Sequence, residues 1–140
     1  MDADVRSRRE AIVRQHMDSE NRQDFEATLA TFSHPRYELV ATSEVYDGPD
    51  EVMGYYRASR TTFPDQRNEV RSLHHSDDAV IVEFDLLGTQ TGPLLGMAPT
   101  GKPFRCPMIA VFVFDADGIV NERVYFDSGT ILGQLGLTAP

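Results

Sequence analysis

The chain has 140 residues, of which 41% are apolar and 25% charged, with 22 acidic against 13 basic side chains and a formal charge of −9. That length suits one compact domain with a real core, and the apolar share excludes a disordered chain. The negative balance argues against a nucleic-acid partner, which a positive field would have to attract, and no apolar run approaches the ~18 residues of a membrane span.

The first ten residues, Met1 to Glu10, lack the apolar core of a signal peptide, so a soluble cytoplasmic protein is expected. Residues 4–18 follow a helical spacing through Val5, Ile12, Val13, His16 and Met17. Asn21 with Asp24 resembles a capping box ahead of a second apolar stripe, Phe25, Leu29 and Phe32, which His34-Pro35 ends. Tyr37 to Val45 is strand-like. Asp47-Gly48-Pro49 then turns the chain and starts a helix, with Gly48 at the cap and Pro49 in the first helical position. Val52, Tyr55, Tyr56 and Ser59 lie along one side of that helix, and Phe63-Pro64-Asp65 closes it.

The remainder is β-rich. Asn68–His74 and Ala79–Leu87 form one expected pair of strands, Pro103–Phe114 and Ile119–Phe126 another, the second pair joined by the hairpin signal Asp115-Ala-Asp-Gly118. Between the pairs runs a stretch with Gly92, Gly96 and Gly101 and two prolines, read either as a cover over a site or as a loop without a role. Cys106 is the single cysteine, which excludes an internal disulfide and a cysteine-rich metal site. Helices followed by an antiparallel sheet predict an α+β domain over residues 1–140, and a strongly bent sheet wrapped around the helices would enclose a pocket.

The final strand carries the most chemistry. Alternation places Arg123, Tyr125 and Asp127 on one face and Val124 and Phe126 on the other. A polar, titratable face backed by an apolar one suits a cavity wall, and equally suits an ordinary half-exposed sheet. Asp127 also stands where it would cap a short helix, Thr130–Leu135.

The order of elements, together with Tyr46-Asp-Gly-Pro-Asp-Glu-Val52, Gly88-Thr-Gln-Thr-Gly92, Pro99-Thr-Gly-Lys102, Glu122-Arg-Val-Tyr-Phe-Asp127 and Gln134-Leu-Gly136, resembles the SnoaL-like polyketide (ester) cyclases of the NTF2-like, or cystatin-like α+β, superfamily. The resemblance spans roughly residues 8–137 and implies a cone with an internal pocket, no cofactor, a homodimer, and intramolecular aldol ring closure of a small hydrophobic molecule. It implies Asp127 as the acid/base residue. The sequence departs from the family in having no histidine in Pro103–Phe114 and in carrying Gln90 where many relatives have histidine.

Ring closure by aldol addition needs a base beside a carbonyl and an acid for the new alkoxide. One carboxyl serves both if an apolar pocket lifts its pKa. Asp127 is the candidate, with Tyr125 donating to an enolate oxygen and Arg123 either binding an anionic group or, by pairing with Asp127, lowering its pKa. The expected binding residues are His16, Met17, Tyr46, Tyr56, Gln90, Met108 and Phe112, with Leu94 and Leu95 as the cover. Glu83 and Asp85 share a face and read as solvated acids or as a second acid pair. No metal is expected at His74-His75, because adjacent strand residues point to opposite faces. The same cone admits isomerases, dehydratases, epoxide hydrolases and proteins that only bind an apolar ligand or a partner.

Overall fold

The computed structural model describes residues 2–137. Helix α1 runs from Ala3 to Asn21, α2 from Phe25 to Ala30, α3 from Pro49 to Thr62 and α4 from Ser128 to Leu135. The strands are β1 (Arg36–Leu39), β2 (Glu44–Asp47), β3 (Arg67–His75), β4 (Ala79–Thr89), β5 (Pro103–Phe114) and β6 (Ile119–Tyr125). They form one sheet in the order β2-β1-β6-β5-β4-β3. No helix among the described residues is long and apolar enough to cross a membrane.

Local chemistry explains most boundaries. Asp2 caps α1, its carboxylate accepting the Asp4 N–H at 2.7 Å. Gly48 (φ +88°) and Pro49 start α3 as the turn chemistry predicts. The expected Asn21 cap is replaced by Asp24, which accepts the Ala27 N–H. Asn21 instead ends α1 and ties it to β3, donating to the Asn68 carbonyl (3.0 Å) and accepting the Asn68 N–H (2.8 Å).

Two further expectations are revised. Tyr37–Val45 is not one strand. A 3-10 turn at Val40–Thr42 and a left-handed Ser43 (φ +58°) fold it into the antiparallel β1–β2 hairpin. The sheet is also mixed, because β1 lies parallel to β6 with Tyr37 beside Glu122. A pairing of strands 80 residues apart leaves no local mark, since parallel strands need a long crossover and not a turn.

Breaks in register at Val70/Ser72 in β3 and Val113/Phe114 in β5 put bulges on both sides of the central strand pair, and bulges bend and twist a sheet. The inner face of the bent sheet carries Val80, Val82 and Phe84 opposite Phe112, Ala110 and Met108. Val13, Met17 and Val52 from the helices complete the core over this face. That layer of helix on sheet leaves a cavity between the helices and the inner face.

Candidate functional site

Between α1, α3 and the inner sheet face lies a cavity of about 340 Å³, near the lower end of the range for sites that hold small organic molecules. Phe84, Phe104, Met108 and Phe126 wall it, and Leu94 and Leu95 stand at its rim. Tyr46, Tyr55 and Tyr37 continue the wall as a row, with successive ring centroids 4.9 Å apart. Four charged side chains line the cavity among these apolar groups, Glu44 at its exposed edge and Glu20, Arg60 and Glu122 deeper in.

Glu20, Arg60 and Glu122 belong to one buried cluster. His16, fully buried between the edges of Phe32 and Phe112, sets its Nε2 2.9 Å from Glu122 and 3.4 Å from Glu20. Arg60 Nη2 lies 3.6 Å from the other Glu20 oxygen. The protonation of His16 follows from its neighbours. Thr31 Oγ1 donates its hydrogen to the Thr28 carbonyl at 2.6 Å, so toward His16 Nδ1, at 2.8 Å, it offers a lone pair and Nδ1 must carry a proton. On the other side Nε2 faces two carboxylates, and a bare nitrogen there would be repelled by both. The ring is therefore an imidazolium.

The electrostatics of the cluster agree. Burial pushes the His16 pKa down, but Glu122 and Glu20 outweigh it and hold it up at about 10. Burial raises both acids. For Glu20, His16 and Arg60 reverse that rise and the pKa is lowered. For Glu122 the attraction of His16 is insufficient and the pKa stays raised. A carboxyl lifted by desolvation at the wall of an apolar cavity is the arrangement proton transfer needs. His16, Glu20 and Glu122 are also the donor set that converges among the described residues, their ligand atoms within 4.8 Å of one another.

The residues expected from the sequence separate into three groups. Met17, Tyr46, Met108, Leu94 and Leu95 line the cavity. His16, Phe112 and Tyr56 are buried one layer behind it, and it is Tyr55, not Tyr56, that faces the space. Gln90 is fully buried as a clamp for the glycine-rich loop. Its amide donates to the carbonyls of Gly92 (3.2 Å) and Ala98 (3.4 Å) and its oxygen accepts from Thr100 Oγ1 (2.8 Å).

Arg123, Tyr125 and Asp127 stand apart from the cavity. Arg123 Nε donates to the Tyr125 hydroxyl at 3.0 Å on the outer sheet face, where Tyr125 is 43% exposed. Asp127 is exposed and caps α4, accepting the Gly129 N–H (3.1 Å) and the Thr130 hydroxyl (3.0 Å). The expected polar face of β6 exists but points outward. The inward face carries Val124 and a single acid, Glu122. Glu83 and Asp85 also face outward. Glu83 pairs with His74 at 2.7 Å, while Asp85 is held by Arg71 Nε (2.9 Å) and Arg105 Nη1 (2.7 Å). His74 and His75 diverge, the second bonding Glu10 at 3.0 Å.

The residues missed from the sequence, Glu20, Arg60 and Glu122, each left a faint sign. Glu20 follows His16 by one helical turn, Arg60 follows Tyr56 by one turn, and Glu122 interrupts an otherwise apolar strand face. Each sign is ambiguous until the three elements are brought together.

No curated protein matches the chain. The SnoaL-like polyketide cyclase family model matches residues 10–135. Among solved structures, a candidate SnoaL-like polyketide cyclase from Jannaschia sp. CCS1 superposes with a TM-score of 0.84 at 20% identity, over 96% of this chain and 94% of that one. A protein of ketosteroid isomerase-like fold from Catenulispora acidiphila, solved with trimethylamine, gives 0.79 at 18% identity over 92% and 97% of the two chains. IdmH from Streptomyces antibioticus, itself a candidate polyketide cyclase, gives 0.76 at 22% over 91% and 97%. At these identities the structural likenesses speak for the fold alone. The family match runs from the first helix to the last, through every element that builds the cavity, and so the chain belongs to the SnoaL-like polyketide cyclase family.

Proposed function

We propose that the protein is an acid/base catalyst acting on a hydrophobic, carbonyl-bearing small molecule held in the cavity, with aldol-type ring closure as its reaction. The observation that carries this reading is the buried Glu122 carboxyl, its pKa raised by desolvation, at the wall of an apolar cavity and against an imidazolium. Glu122 as carboxylate removes a proton from the carbon beside a carbonyl, leaving an enolate. The enolate carbon attacks a second carbonyl carbon of the same molecule, forming the ring bond, and the resulting alkoxide takes the proton back from the Glu122 carboxylic acid. His16 is a positioning residue that holds the Glu122 oxygen. Side chains alone supply these steps. Asp127 has the position the family resemblance points to, but its carboxylate is spent on a helix cap in solvent, so proton transfer is assigned to Glu122.

A second reading is favoured by one observation, the presence of two carboxylates, Glu20 and Glu122, on the same cavity. Isomerisation, dehydration or epoxide opening would use such a pair as separate acid and base. We also take the assembly to be a homodimer through the outer sheet face, where Ile109 (40%) and Tyr125 (43%) are exposed. Light scattering at several concentrations checks it.

Proton abstraction can be tested without the natural substrate. In deuterated buffer, 2-tetralone should exchange its α-protons faster with the protein than without it, read by NMR. Glu122→Gln should lower that enhancement by about 10²–10⁴-fold while a bound aromatic ligand is retained. Exchange unchanged in Glu122→Gln would remove Glu122 from the mechanism. Binding without any exchange would make the protein a carrier and not a catalyst.

A further inference from the structure

Removing a proton beside a carbonyl puts a negative charge on the carbonyl oxygen, and in an apolar cavity that oxygen needs hydrogen-bond donors already in place. Tyr125, the donor expected from the sequence, stands on the outer sheet face. The cavity has phenols of its own. Tyr37 on β1 is in register with Glu122 on the parallel β6, so the two side chains project side by side from the inner face of the sheet. Tyr55 comes from α3 and sets its ring 4.9 Å from that of Tyr37, at 33°. The hydroxyls of this aromatic wall differ in what they are free to do. Tyr46 donates to Glu44 at the cavity edge. The Tyr56 hydroxyl is sealed in the core without a partner. Those of Tyr37 and Tyr55 are neither sealed in nor tied to a carboxylate or a backbone group among the described residues, and both side chains line the cavity.

Resting on the reading of Glu122 as the base, we infer that the Tyr37 and Tyr55 hydroxyls form the site that holds the substrate's carbonyl oxygen and takes up its negative charge. The proton leaves the carbon beside the carbonyl for the Glu122 carboxylate. The electron pair of the broken C–H bond becomes the new carbon–carbon double bond, and the carbonyl π pair moves onto the oxygen. That oxygen accepts from the two phenols, whose hydrogens stay where they are. Burial lifts both phenols above their ordinary range, so each remains a donor and not an acid at neutral pH. For Tyr37 the neighbouring Tyr55 and then Glu122 add to the rise. For Tyr55, Arg60 and a hydrogen bond from Tyr37 pull the other way without reversing it. Tyr37 therefore stands between the base on one side and the second phenol on the other, where a carbonyl group must lie if one end is to lose a proton and the other to gain charge.

The test uses 2-tetralone on the intact protein at neutral pH, with its α-proton exchange followed by NMR and its binding by calorimetry. Tyr37→Phe and Tyr55→Phe should each lower the exchange enhancement by about 10²–10³-fold with tetralone binding retained, while Tyr56→Phe, whose hydroxyl is sealed off, should leave it within about twofold. A second measurement needs no variant. The infrared carbonyl band of isotopically labelled 2-tetralone bound to the wild-type protein should lie below its frequency in an apolar solvent, and each Tyr→Phe change at positions 37 and 55 should move it back. Exchange kept at the wild-type rate in both variants, or a bound carbonyl band at the apolar-solvent frequency, would overturn the inference and leave Glu122 as the base. Equal losses in all three Tyr→Phe variants would also overturn it, since the rate would then follow packing and not donation. No exchange with the wild-type protein would overturn the inference together with the reading beneath it.

Discussion

Two acids on opposite faces of the same sheet are almost equally buried and behave oppositely. Asp85 on the outer face is 1% exposed and Glu122 on the inner face 3%. The Asp85 carboxyl is held low by hydrogen bonds from Arg71 and then Arg105, against the upward push of burial. For Glu122 burial dominates, the single imidazolium falls short of reversing it, and the pKa is raised. The difference lies in the partners. Asp85 is roofed by two guanidiniums whose far sides stay in water, 63% and 50% exposed, so the charges are compensated without being desolvated. Among the described residues Glu122 has one close cation, His16, and shares it with Glu20, inside a wall of aromatic rings. Low exposure alone does not make a reactive carboxyl. A shortage of charge-assisted donors does.

Substitutions at the two acids are the sharpest way to break this comparison. In the tetralone exchange assay Glu122→Gln should cost about 10²–10⁴-fold, whereas Asp85→Asn should leave the rate within about twofold. Equal losses at both positions would mean that the rate follows general stability. Next in size is the effect on folding. His16→Ala leaves two carboxylates facing one another in the core and should cost about 3–5 kcal/mol by urea denaturation. Asp85→Ala releases two arginines already half in solvent and should cost about 1 kcal/mol or less.

Acid and base should then probe the two faces separately. The folded His16 pKa, about 10, lies above its ordinary 6.5, so the stability it contributes is complete below pH 6.5 and is lost as pH rises toward 10. Asp85 is shifted the other way, from 3.8, so its contribution is present above that value and lost as pH falls below it. Stability measured across pH should show an alkaline decline that is missing in His16→Leu and an acid decline reduced in Asp85→Asn. A comparably small effect belongs to the third carboxylate. Asp127→Ala removes the α4 cap and should lower stability by about 1 kcal/mol, with exchange unchanged. A large loss of exchange there would return the proton transfer to Asp127.

Much of the frame was readable before the structure. The alternation of β4, β5 and β6, the Asp115–Gly118 hairpin and the Gly48-Pro49 helix start are local signals, because each reports on residues a few positions apart. The glycines and prolines marked the loop that brings Leu94 and Leu95 to the cavity without saying whether it is a cover, and nothing local showed that Gln90 would be buried as the knot that ties that loop. The sequence left open which face of β6 meets the cavity. Alternation divides β6 into Glu122 with Val124 and Arg123 with Tyr125, and a strand pattern contains nothing that says which set faces the helices. The titratable set attracted the functional reading, and it is the set in contact with water.

The sequence by itself determined the family, through the resemblance its motifs carry, and the α+β order of elements and the apolar residues that fill the core, which follow from spacing, turn chemistry and composition. The tertiary structure alone decided which titratable groups come together. Glu20 on α1, Arg60 on α3 and Glu122 on β6 come from three elements spread over about a hundred residues of chain, and they meet through helix–sheet packing and the parallel β1–β6 pairing. Whether a carboxyl is an ordinary surface acid or a proton carrier depends on what surrounds it, and packing supplies that environment.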